Sequence, residues 1–71
     1  MSRGLHEALL DAHARADRAR LVDLYAEAAQ WQNDTDAACF FLTHAYVYAL
    51  ETGHPAAGVL HGRLKAEGRE A

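Results

Sequence analysis

Cysteine is almost missing from this chain: Cys39 is the only one in 71 residues, so no disulfide can form within it. A lone thiol inside an apolar stretch points to a reducing compartment and to a cysteine that packs as a small hydrophobe. Proline occurs once, at Pro55, and β-branched residues are few, which favours helix throughout. Positive charge is also short. Seven Lys and Arg against ten Asp and Glu leave a formal charge of −3, which disfavours nucleic acid as a partner. The local exception is Arg15, Arg18 and Arg20, but Asp11, Asp17 and Asp23 are interleaved with them. No apolar run reaches the roughly 20 residues that a membrane span needs. The opening residues, Met-Ser-Arg-Gly-Leu-His-Glu, show no apolar core of a signal peptide. A small cytoplasmic helical protein, residues 1–71 as one domain, is the expectation.

What is present is a concentrated apolar segment. From Ala37 to Leu50 only Thr43 and His44 interrupt it. A helix that is hydrophobic on every side is normally buried all round. A domain near this size buries only roughly 60% of its unfolded surface, so complete cover is hard to supply. Small cores often add a disulfide, a metal or oligomerisation. With the disulfide excluded, association is the simplest remaining support.

Periodicity and caps predict three helices in antiparallel hairpins, at about 4–31, 35–52 and 55–67. In the first, Leu10, Ala14, Asp17, Leu21, Leu24, Ala28 and Trp31 alternate spacings of four and three, a heptad seam that Asp17 interrupts. Asp17 is expected to point outward and pair with Arg18 or Arg20. Asp34 or Thr35 caps the second helix, and Gly53 suits its C-terminal left-handed position. Pro55 suits the first position of the third helix, which Gly68 stops. Gly58 and Gly62 lie one turn apart on that helix. Glycine there costs about 1 kcal/mol relative to alanine. The pair therefore predicts a close approach by aromatic rings of the second helix, and valine at either position would overpack it.

Leu21, Leu24 and Ala28, then Ala37 and Phe41, then Tyr48-Ala-Leu-Glu-Thr-Gly before Pro55, form a pattern from residue 21 to 55. It resembles a tetratricopeptide-type helical hairpin, with large, large and small residues on its first helix and a small residue and an aromatic on its second. It departs at Tyr25, where that repeat has glycine, and at His44, where it has alanine. The resemblance implies protein–protein binding or stacking between subunits.

The candidate chemistry is sparse. His13 and Asp17, four apart, have a spacing that permits joint metal coordination, His6 and His13 share roughly one face over two turns, and His54 and His61 bracket the first half of the third helix. No HExxH or CxxC signature accompanies them, and no metal is expected. Cys39 lies in the first turns of the second helix, but no base, serine elbow or glycine-rich loop stands beside it in sequence, so no enzyme and no cofactor are expected. His44, amid aromatics, is expected to bond Tyr25, Tyr46, Tyr48 or Glu51. The leading expectation is a self-associating or protein-binding adaptor, a homodimer or a module for another protein. Its interface would be Trp31, Phe40, Phe41, His44, Tyr46 and Tyr48. The alternative is a helical protein that holds a small molecule, haem or metal, with His44 as the polar anchor.

Overall fold

The computed structural model describes residues 3–68, with the side chain of Arg3 left aside. It contains four helices: α1 (Arg3–Ala14), α2 (Arg18–Gln30), α3 (Thr35–Thr52) and α4 (Ala57–Ala66). The all-α expectation holds and the count of three does not, because the first expected helix is two. Its break has a definite backbone cause. Ala16 takes φ +53°, its N–H donates to the His13 carbonyl at 3.1 Å, and the Asp17 N–H donates to the Ala12 carbonyl at 2.9 Å. That pair of bonds is the Schellman ending of a helix, which usually places glycine at the left-handed residue. Alanine there costs roughly 1–2 kcal/mol, so the stop lacks its usual glycine, and the local signal beside it is Asp17, a favoured N-cap residue.

Asp17 then opens α2. Its Oδ1 accepts from the Arg20 backbone N–H at 3.2 Å, so it is a cap rather than a surface ion-pair partner. Asp34 does the same for α3, its Oδ2 accepting from the Ala37 N–H at 3.2 Å. Gly53 closes α3 at φ +64° with the second Schellman pair: its own N–H donates to the Leu50 carbonyl, and that of His54 to the Ala49 carbonyl. Pro55 lies in a turn instead of starting the last helix. There the Ala56 N–H donates to His54 Nδ1 at 3.0 Å, and α4 begins at Ala57.

The helices pack in chain order, α1 on α2, α2 on α3 and α3 on α4, with no other pair of helix backbones side by side. The result is a slab, 31 × 29 × 14 Å between Cα extremes. Two cores lie within it. Leu5, Leu9 and Ala12 of α1 meet Leu21, Leu24 and Ala28 of α2. Val22 and Ala29, on another face of α2, meet Cys39, Leu42, Ala45 and Ala49 of α3 and Leu60 and Leu64 of α4. Because no helix closes the slab, α3 is held on both flanks and left uncovered along the side between them.

The expected close approach at the third helix does not occur. Gly58 and Gly62 are exposed, and a Cβ built on either meets nothing within 4 Å. Leu60 and Leu64 supply the packed face of α4, and the glycines point away from it.

Candidate functional site

The open side of α3 follows from its spacing. Phe40, Thr43, Val47 and Leu50 are separated by three, four and three residues, which puts them on one stripe of the helix. All four are exposed, Phe40 by 59%, Val47 by 48% and Leu50 by 58%. Asp36, four residues before Phe40 and also exposed, extends the stripe toward the N-terminal end of α3. Single exposed apolar residues are ordinary, but three aligned along one helix form a contiguous patch of the kind that marks interaction sites.

An aromatic row borders this stripe on the α2 side. Tyr25 of α2 stacks over Phe41, His44 and Tyr48 of α3, with ring centroids 6.1, 5.3 and 5.9 Å away. The Tyr25 hydroxyl shares a hydrogen bond of 2.7 Å with His13 Nε2 from α1, and the His13 ring also meets the edge of Tyr48. Partial burial, and then the neighbouring Tyr48 hydroxyl, push the Tyr25 phenol above the usual tyrosine range. One residue thereby ties three helices together. On the other flank Tyr46 stacks on His61 of α4 at 5.6 Å.

These positions sort the expected interface residues. Phe40 is on the open stripe. Phe41, Tyr46 and Tyr48 are half-buried and engaged within the chain, so they brace α3 instead of facing outward. Trp31 is 60% exposed but forms the C-cap of α2, at the α2–α3 turn. His44 is half-buried between Tyr25 and Phe40. Its Nδ1 bonds the Phe40 carbonyl at 2.9 Å, not the side chains expected from the sequence. A carbonyl can only accept, so Nδ1 carries the proton, and in the neutral ring Nε2 is the acceptor. Val47 and Leu50 were not among the expected anchors. Their three-and-four spacing from Phe40 is the signal that identifies them in the sequence.

Two open depressions indent the surface. One, about 270 Å³, is lined by Thr43, His44, Val47, Tyr48 and Glu51, and so belongs to the same side of α3. The other, about 280 Å³, lies between the α2–α3 turn and the end of α4, where Asp34, Leu42 and Arg63 border it. Cys39 at its base is buried. Among the described residues, no three His, Cys, Asp or Glu side chains converge to hold a metal ion. No helix among them is long and apolar enough to cross a membrane. The Arg15 guanidinium is 3.1 Å from Asp11 and that of Arg18 is 3.8 Å from Glu51, so both of these cations already face carboxylates. No family model, curated protein or solved structure matches this chain.

Proposed function

We propose that this chain is a protein-binding module, a small adaptor or regulator of the cytoplasm, whose recognition element is the open side of α3. The observation that supports this is the exposed stripe of Phe40, Val47 and Leu50 on a helix otherwise held by its neighbours. Desolvating large apolar and aromatic side chains of this kind supplies much of the energy of protein interfaces. The bracing row under Tyr25 favours the same reading. It fixes α3 before any partner arrives, and a pre-ordered surface loses less entropy on binding. The hairpin-like pattern of residues 21–55 points in this direction too. The groove beside His44 lies on the same stripe, so a small molecule held there would compete with a protein partner.

A photoreactive benzophenone side chain at position 47 tests the proposal in lysate of the source cells. It is expected to give covalent adducts with a polypeptide, either this chain or another, while the same group at the exposed Glu27 gives none. Adducts absent from position 47, or equally abundant from both, would remove α3 as the recognition element.

A further inference from the structure

Resting on that reading, we propose that the occupant of the α3 stripe is α3 of a second copy. The two helices would run antiparallel, and Arg18 of each copy would face Asp36 of the other. Three observations carry this. First, positions 36, 40, 43, 47 and 50 alternate spacings of four and three. That is the register of a helix lying along another helix at a shallow angle, where side chains interlock in layers. Phe40, Thr43, Val47 and Leu50 follow this register on the side of α3 that none of the described helices covers.

The second observation is charge. From Thr35 to Thr52, α3 carries Asp36 and Glu51 but no Lys or Arg. A parallel pair would set each Asp36 beside its own copy, and like charges so placed repel. An antiparallel pair carries Asp36 of the second copy just past the opposite end of the first α3, level with residue 54 and about one turn from Glu51. The cation at that end comes from α2: Arg18 Nε lies 3.8 Å from Glu51 Oε2, and both side chains are about half exposed. A contact that long and wet is worth little by itself. The guanidinium has five N–H donors and can bridge two carboxylates. Antiparallel pairing therefore places a cation between the two acidic groups, and two-fold symmetry does so twice.

Third, the apolar layers match. With the helices antiparallel and centred near residue 45, Phe40 of one copy meets Leu50 of the other, and Thr43 meets Val47. The bulkier Phe–Leu layer then recurs at both ends, with the nearly isosteric Thr–Val layers between, so two-fold symmetry gives the helices the same separation at either end of the contact. Opposed helix dipoles favour the same direction.

Sedimentation equilibrium of the full chain across the micromolar range decides this, with circular dichroism to confirm that each variant is folded. The unmodified chain is expected to form dimers. Arg18→Glu or Asp36→Arg alone is expected to weaken dimerisation by about tenfold or more, as for a close charge pair at an interface. The double variant, with the two charges exchanged, is expected to recover most of that loss. A monomer at every concentration would overturn the second copy as occupant, and so would single variants without effect or a double variant as weak as the singles. Adducts from position 47 that join only other polypeptides would then leave the protein-binding reading standing without self-pairing. A complete lack of adducts would end both.

Discussion

The two sides of α3 carry apolar residues of different size. The covered side presents Cys39, Leu42, Ala45 and Ala49, and both alanines are fully buried. The open side presents Phe40, Val47 and Leu50. Small residues let α2 and α4 approach the α3 backbone closely, so the chain secures its central helix mainly through Ala and Leu contacts. Of the bulky residues, Phe41, Tyr46 and Tyr48 are engaged at the flanks, and Phe40, Val47 and Leu50 are left over. In a domain that meets only its own needs, the largest apolar side chains are expected inside, where burial is worth roughly 1.5–3 kcal/mol each. Their position outside is what makes the open side of α3 a candidate for binding instead of a defect of packing.

The sharpest way to break that contrast is to truncate one residue on each side. Leu42→Ala removes a buried side chain that touches the core shared by α2, α3 and α4, and should cost about 2–5 kcal/mol of stability. Val47→Ala on the open side should change the stability of the isolated chain by no more than about 0.5 kcal/mol. Urea melts at high dilution, where copies are separate, make the comparison. Equal losses at both positions would mean that the open side is packed within the chain after all.

A second contrast concerns α4, where the exposed glycines sit opposite the packed leucines. Gly62→Ala should raise stability by up to about 1 kcal/mol, because the added methyl enters open space and alanine favours helix. Gly58→Ala should gain less, since Gly58 stands in the first turn, where helical constraint is weaker. Thermal melts that show a loss for Gly62→Ala would restore the close helix approach that the sequence suggested.

A third contrast tests the bracing row. Burial and the Tyr48 hydroxyl raise the Tyr25 phenol above its usual value, so the folded state favours the neutral, protonated ring. The stability linked to that proton is complete below the unfolded tyrosine value of about 10 and is lost as pH rises through the higher folded value. Tyr25→Phe should therefore show a shallower loss of stability above about pH 10. Below that range it should cost only about 0.5–1.5 kcal/mol, for the hydrogen bond to His13. Urea midpoints measured at neutral and alkaline pH read both quantities. Parallel curves for the two proteins would show that the phenol is not held neutral by the fold.

The caps show how much of the fold was legible. Asp34 and Gly53 bound α3 where the sequence placed them, and Gly68 takes the positive φ (+70°) expected of a helix stop. Such signals are local, because a capping carboxylate reaches an N–H only three residues away. The stop at Ala16 escaped because its left-handed residue is an alanine, and its cause is the backbone geometry of one turn. The expected anchors were legible by residue type and misplaced by direction. Aromatic character alone does not tell whether Phe41 or Phe40 faces a neighbour, although the two are adjacent in sequence.

Composition, periodicity and capping residues thus determined by themselves that the chain is all helix, where most helices begin and end, and that the segment from Ala37 to Leu50 carries more apolar surface than so small a chain can cover. The tertiary structure decided which of that surface is left over. Tyr25 draws Phe41, His44 and Tyr48 toward α2, and Tyr46 is taken by His61 of α4. Phe40, Val47 and Leu50 remain because the helices join only in chain order and none returns to the open side of α3. The physical reason is range. Helix formation and capping are settled within four residues, whereas the choice of buried face depends on partners brought in from other helices.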